Sequence, residues 1–507
     1  MTYARGGQSA LVTRRLAQSQ DPVALHEALA SESAPFFLRR SGGQALILVD
    51  AALRLEARGL EATLVAQSEG GALLLDGIAE RLAAHVVARD ERMLRFTFPR
   101  CVADDEEARA VAPTPLDIVR AMVFGLNPGD RDDPFAVVAA GIVGFDHVDM
   151  VEALPPRAEG DFPDLLFLLA ETAIVIEPAG AARVIALAVG ADDDGVAHRN
   201  HHLAVERLGR LVERVSSICP ARASAPQSAP GSAVPDLDDD EFAARVVRLK
   251  EHIAAGDIFQ AVVSRAFKTP CNDALGAFAR LVSADPSAYH YSFDTGYGHL
   301  FGASPETAVE IERAGDALMV SVSPIAGTRP RGNTPDEDGR HEADLRLDAK
   351  EVAEHLMLVD LARNDVARVA RPGSRRVARL LDVERFARVM HLVSRVEGEL
   401  ETGKDAIDAI RACLNVGTLS GAPKLRAIEL IRSVEGSARG PYGGAIGWIC
   451  GDGTMDSAVI IRSALVRDGI AEVRAGAGVV AASVPLEEAR ETKAKARAVL
   501  EALGAVA

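Results

Sequence analysis

Cysteine is sparse in this chain and never clustered. The 507 residues hold five cysteines, Cys101, Cys219, Cys271, Cys413 and Cys450, with no C-x-x-C among them. That spacing argues against a zinc site or a redox pair, and an odd, scattered set fits a reducing compartment. Long apolar runs are missing as well. The longest, such as Leu165–Ala170, fall far short of the roughly 20 residues a bilayer-spanning helix needs. The opening residues, MTYARGGQSALVTRR, hold no apolar signal core, so a cytoplasmic location is expected. Basic charge is the third shortage. Lys and Arg number 56 against 73 Asp and Glu, a net charge of −17. That balance argues against nucleic acid as a partner, because phosphate binding needs a basic footprint. A small anionic substrate needs only a local positive pocket. No internal repeat is visible.

What is present is ordinary for a globular enzyme: 48% hydrophobic and 25% charged residues, in a chain long enough for two large lobes. Residues 1–219 alternate short strands with helices. Strands are expected at Ala45–Val49, Ala62–Val65, Met93–Phe98, Val137–Phe145, Leu165–Ile176 and Ala182–Val189. Helices are expected at Leu73–Val87, Leu116–Leu126 and His201–Ile218. The lobe shows no dense cluster of catalytic residue types. Residues 220–237 read as a linker, because Pro220–Pro235, PARASAPQSAPGSAVP, cannot bury a core. Residues 238–507 form the second lobe, and the chemical signals crowd there.

The clearest is KEVAEHLMLVDLARNDVAR, Lys350–Arg368. Val352, Leu356, Val359 and Val366 recur at helical spacing, widened by Met357 and Leu358. Glu351 and Glu354 then share one helix face, one turn apart. Glu488 and Glu491 repeat the pattern near the chain's end. Two such pairs could enclose one hard cation, and Mg²⁺ prefers carboxylate oxygens. Taken singly, each pair reads first as a solvated helix face, and only the surrounding chain favours the metal.

Around them stand weaker signals. Phe242–Ala255 reads as a helix ended by Gly256, and DIFQAVVSR, Asp257–Arg265, as a strand holding Gln260. Phe301–Glu310 carries Ser304-Pro305-Glu306, where the proline should break the ladder beside Glu306. PIAGTRPRG, Pro324–Gly332, reads as a loop whose Thr328, Arg329 and Arg331 can donate to an anion. GTLSGAPK resembles a phosphate loop, but its glycine spacing is short and no Ser or Thr follows Lys424. It can still open a helix over Pro423–Ile431 with unpaired amides. GPYGGAIGW and AGAGVV place glycines where a backbone must approach something closely, or where sheets pack tightly. Arg462, in IIRS, sits on an otherwise apolar strand, where a charge is usually a snorkelling surface residue; between glycine-rich strands the alternative is a buried guanidinium awaiting a carboxylate. His391, in VMHLVSRV, sits on an apolar strand, where a core role competes with a chemical one. Together these describe a cationic, glycine-lined pocket beside a carboxylate metal site, suited to a small polycarboxylate with Mg²⁺.

GDIFQAVVSR, FGASPE, PIAGTRPRG, KEVAEHLMLVDLARND, VMHLVSRV, GTLSGAPK, PYGGAIG, IIRS, AGAGVV and EEARETKAKA follow one another as in the chorismate-utilising enzymes, over roughly residues 238–500. Within that family the chain is most similar to the anthranilate synthases. GIVGFDHVDMVEALP and LILVDAALRLEARG extend the likeness to the first lobe. The resemblance implies a two-lobed α/β (α+β) fold, sheets sandwiched and flanked by helices, with the active site mostly in the second lobe.

It also implies roles. Glu354 and Glu491 would ligate Mg²⁺, helped by Glu351 and Glu488, and the metal would hold the ring carboxylate of chorismate. Gly327, Thr328, Tyr442, Arg462 and the Gly476–Ala477–Gly478 backbone would bind the substrate, with Lys495 near its carboxylates. Glu306 resembles the general acid for the departing hydroxyl. His391, supported by Thr418, resembles the residue that serves pyruvate elimination. Water-using relatives carry a lysine where this chain has Gln260, and aminodeoxychorismate-forming relatives carry one where it has Ala326. Both differences point to direct attack by ammonia and to anthranilate as product. No cysteine sits in a Gly-x-Cys-x-Gly elbow, so a separate glutamine amidotransferase subunit is expected to supply ammonia. Alternatives are an enzyme that stops at aminodeoxyisochorismate and a non-catalytic amino-acid-binding subunit. One departure stands out. Tryptophan-inhibited relatives carry Leu-Leu-Glu-Ser where this chain has Leu38-Arg39-Arg40-Ser41, facing Ala288-Tyr289-His290. Tryptophan inhibition is therefore expected to be weak or absent.

Overall fold

The structure, a computed structural model, describes residues 7–16, 21–30, 35–101, 103, 105–128, 133–218, 231–385 and 389–506. Most of Pro220–Pro235, and Cys219, lie outside them. The end of that segment is tied down: Gly231–Ser232 pairs with Ala505–Val506, and Val234–Pro235 with the Gln260–Pro270 strand.

Long apolar runs become fully covered strands. Leu165–Ile176 is buried along its whole length, antiparallel to Ala45–Arg58 on one side and to Val138–Val143 on the other. The ladders then cross into the second half of the chain. Phe36–Arg40 pairs with Tyr289–Asp294, and Val138–Val143 with Ala445–Cys450. Side chains follow, with Phe36, Leu46, Tyr291 and Trp448 in one buried cluster. The result is a mixed α/β fold, a large antiparallel sheet flanked by helices.

Local chemistry sets the helix ends. Asp238 and Glu241 form a reciprocal capping box for Asp239–Ala255, which Gly256 ends at φ +83°. Elsewhere tertiary contacts override pattern. The helix expected over Leu73–Val87 stops at Arg81, and Val86–Arg89 turns out as a strand. The expected loop Pro324–Gly332 contains a strand, Ile325–Pro330, because the neighbouring strand Val389–Glu399 satisfies its backbone. As expected, Pro305 splits its stretch into His299–Ser304 and Thr307–Ala314. Arg462 is not on a strand: it has φ +49° and stands just before Ser463–Arg467.

Candidate active site

Two ladders and one helix converge on the residues singled out above. Gln260–Pro270 runs antiparallel to Ile470–Val479, with Val262 opposite Gly478 and Ser264 opposite Gly476. A Cβ on Gly476 would stand 2.9 Å from the Tyr442 hydroxyl oxygen, and one on Gly478 2.9 Å from Gln260 Nε2. The glycines let those two side chains lie over bare backbone. Ala477, between them, packs its methyl into the core with Ala261 and Val263. Gln260 Oε1 is buried and has no hydrogen-bond partner among the described residues.

The helix Ala349–Ala367 is capped by Asp348, whose carboxylate accepts from the amides of Lys350 and Glu351. It buries His355, Leu358, Val359, Ala362 and Val366. Leu356, expected on that stripe, is 43% exposed, because the true contact line starts one residue earlier.

Glu306 is buried and accepts a hydrogen bond from the Thr418 hydroxyl at 2.7 Å. Burial pushes its carboxyl up to about 8, against opposing pulls from Thr418 and Lys495. It is therefore a neutral acid at pH 7. His391 is buried too, and burial lowers it to about 4, despite the Gly327 carbonyl and helped by the charges of Arg462 and Lys495. Its Nδ1–H donates to the Gly327 carbonyl at 2.9 Å, with the Thr328 hydroxyl at 3.1 Å. That bond leaves the lone pair on Nε2. The Thr328 hydroxyl lies beside His391, and Thr418, expected from sequence to support His391, donates to Glu306.

The Arg462 carbonyl accepts from the Ala303 amide at 3.0 Å, while the half-buried guanidinium makes no hydrogen bond or ion pair with any described residue, and desolvation lowers its pKa. A partly desolvated, unpaired guanidinium suits an anionic group. Lys495 donates to the Gly476 carbonyl at 3.0 Å and pairs with Glu491 at 2.7 Å. Arg329 and Arg331 do not point to a ligand: the first is held by Asp344 and Asp348, the second by Asp338.

The four metal-pair glutamates lie within electrostatic reach of one another and of Lys350. Burial raises Glu351 and Glu354, and pushes Glu488 up to about 7. Burial works the same way on Glu491, but Lys495 outweighs it and holds that carboxyl down. Among the described residues no three His, Cys, Asp or Glu side chains are gathered tightly enough to ligate one ion. The donor set nevertheless fits a hard cation: all oxygens, with Glu354 Oε1 buried and lacking a hydrogen-bond partner.

One supporting group escaped the sequence reading. Glu435 and Arg439 form a buried ion pair at 2.6 Å. Glu435 also takes the Ser264 amide and hydroxyl, and Arg439 donates to the Leu419 carbonyl and stacks over Phe145 and Tyr442. The pair ties the Thr418 loop, the Gln260 strand and Tyr442 together. A Glu–Arg pair at i,i+4 beside an apolar helix end was the available signal.

The remaining sequence-assigned residues meet across the two halves. Tyr289 lies opposite Arg40 and His290 opposite Arg39, while the Ser41 amide donates to Ala288 O at 2.6 Å. Arg40 lies over the Tyr289 ring and pairs with Glu310 and Asp456. Arg39 Nη2 bonds His290 Nδ1 at 3.1 Å. No helix among the described residues is long and apolar enough to cross a membrane.

Comparison with known proteins gives consistent findings. The family described as chorismate binding enzyme matches residues 83–501. Anthranilate synthase component 1 of Salmonella typhimurium is 41% identical, covering 97% of this chain and 96% of that protein. The pyocyanine-specific anthranilate synthase component 1 of Pseudomonas aeruginosa is 42% identical over 92% of this chain and 88% of its own length. Among solved structures, anthranilate synthase component I from Streptococcus pneumoniae superposes with a TM-score of 0.72 at 28% identity, covering 90% of this chain and 92% of that one.

Proposed function

The chain belongs to the chorismate binding enzyme family, and on that premise we propose that it works as an anthranilate synthase large subunit. Chorismate and ammonia are converted to anthranilate, pyruvate and water. Curated anthranilate synthase components at about 40% identity over nearly the whole chain support this reading. The observation that carries it is a neutral, buried acid, Glu306, and a neutral, buried imidazole, His391, both within electrostatic reach of Lys495. Two titratable groups pushed in opposite directions mark the acid and the base.

Arg462, Thr328, Tyr442 and the Gly476–Gly478 backbone bind and orient the dicarboxylate. Gln260 Oε1, buried without a partner, accepts a hydrogen from ammonia and aims its lone pair at the ring carbon beside the one bearing the carboxylate. Glu306 gives its proton to the departing hydroxyl, which leaves as water. His391 Nε2 takes the ring proton, pyruvate departs and the ring becomes aromatic. Bound by Glu354 and Glu491 with Glu351 and Glu488, Mg²⁺ would neutralise the substrate's carboxylate. A separate glutamine amidotransferase would supply the nitrogen; in support, Cys413 and Cys450 are fully buried and burial raises their thiols, which suits neither to a nucleophile's role.

The test is incubation of the purified chain with chorismate, Mg²⁺ and ammonium, with products identified by mass. Anthranilate plus pyruvate is expected. Accumulation of the aminated intermediate alone would move the assignment to an aminodeoxyisochorismate synthase, and unchanged chorismate in the presence of ammonium would overturn the synthase reading.

A further inference from the structure

The Glu306 carboxyl accepts from the Thr418 hydroxyl and is 5% exposed. An acid that gives up a proton in every turnover has to be reloaded. Behind it lies a cavity of about 20 Å³, lined by Glu306, Thr418, Leu358, Ala362, Val416 and Asp365. That is room for roughly one water molecule, with the Glu306 and Asp365 carboxyls in its lining to hold it. Asp365 is buried, and Lys424 Nζ donates to both its oxygens at 3.0 and 2.9 Å. On the far side of Lys424 is a second cavity of about 70 Å³, whose walls include His147, Lys404, Arg411 and the exposed Arg368. Asp365 lines the cavity beside the acid and Lys424 lines the second, so their ion pair joins the two spaces. Binding, metal ligation and the acid–base pair make no use of it.

We propose that Lys424 and Asp365 form the proton-delivery route that reloads Glu306, the inner cavity holding the water that completes it. The inference rests on Glu306 being the acid. After Glu306 has protonated the departing hydroxyl it is a carboxylate. The Lys424 ammonium gives a proton to Asp365, Asp365 passes it through the cavity water to Glu306, and Lys424 regains a proton from solvent in the outer cavity. The solvent proton moved inward in each turnover is matched by the proton that the added ammonia releases to solvent, the ring proton going to the departing enolpyruvate, and nothing is oxidised or reduced.

Three variants of the full chain, assayed with chorismate, Mg²⁺ and ammonium, test this. Lys424→Arg keeps the ion pair, but a guanidinium does not release its proton. It is expected to lower kcat by roughly tenfold or more, to leave the chorismate KM within about twofold, and to raise the solvent deuterium isotope effect on kcat. Ala362→Val, which fills the inner cavity and touches neither charged pair, is expected to do the same and decides the matter if Lys424→Arg does not fold. Wild-type kcat in either folded variant, or an unchanged isotope effect, overturns the route and leaves Lys424–Asp365 as a structural tie. Glu306→Gln is the control for the underlying reading. Turnover surviving in that variant would remove Glu306 as the acid, whereas an inactive Glu306→Gln beside a fully active Lys424→Arg removes the route alone.

Discussion

The Thr418 hydroxyl donates to Glu306 Oε1 at 2.7 Å, and this one bond stabilises the charged form of an acid that burial otherwise holds neutral. The sign of its removal follows. Thr418→Val takes away the donor, so the Glu306 carboxyl rises further above about 8. The alkaline limb of kcat/KM, measured at constant free ammonia, is expected to move to higher pH in the variant. A limb that stays in place would mean that Glu306 does not set it.

Folding stability carries the same signature. A carboxyl raised from 4.5 to about 8 on folding binds its proton more tightly in the native state, so its contribution is full below the unfolded value and is lost as pH rises through 8. Glu306→Gln removes that loss. Its melting temperature relative to wild type is expected to be higher at pH 9 than at pH 5, and a difference independent of pH would contradict the raised pKa.

Much of this site was legible in sequence because it is built from local signals. Glu351 and Glu354 announce their shared helix face by spacing, Pro305 breaks the ladder where a proline must, and Gly476 and Gly478 mark a backbone that other side chains cover. What was not legible depends on contacts distant in sequence. Thr418 lies 112 positions from Glu306, so nothing local says which of two candidate partners it serves. Arg329 and Arg331 look like anion donors until their carboxylates, on a helix folded back over them, are placed. The strand at Ile325–Pro330 exists only because the His391 strand pairs with it.

Glu435 and Arg439 illustrate a different cost. Their side chains are each 2% exposed. Removing one partner strands the other charge in the interior, which typically costs about 3–5 kcal/mol. Glu435→Ala is expected to lower the urea midpoint sharply and to raise the chorismate KM in the fraction that folds, since Tyr442 loses the arginine beneath it. A loss near 1 kcal/mol would show that the pair contributes no more than one ordinary hydrogen bond.

Nucleophile choice rests on Gln260, whose amide cannot act as a base. Gln260→Lys is expected to let water compete with ammonia and to yield traces of isochorismate by mass. An unchanged product profile would place Gln260 away from the nucleophile's approach.

If the sequence resemblance places Arg40 at the glutamate of tryptophan-inhibited relatives, the feedback pocket is changed, because the Arg40 guanidinium is committed to Glu310, Asp456 and the Tyr289 ring. An amino acid's ammonium would meet a cation there instead of a carboxylate. The synthase is expected to keep its activity at tryptophan concentrations of roughly 100 µM, well above the micromolar Kd of a binding free energy near −8 kcal/mol. Inhibition at low micromolar tryptophan would refute it.

Glu354 is the most exacting test of the metal assignment, because its Oε1 is buried, makes no hydrogen bond and has only the Lys350 ammonium, at 3.6 Å, as a counter-charge. A group left so has either a missing ligand or a purely structural tolerance. If the ligand is Mg²⁺, added magnesium stabilises the native state by mass action and raises the melting temperature. Glu354→Ala then abolishes turnover, leaves the metal-free melting temperature close to wild type and erases the magnesium-dependent rise. The half-buried carboxylate packs on little, so its removal opens no large cavity. If the variant instead melts well below wild type without metal and still responds to magnesium, the glutamate pairs belong to the architecture of their helices, and the cation, if any, is held elsewhere.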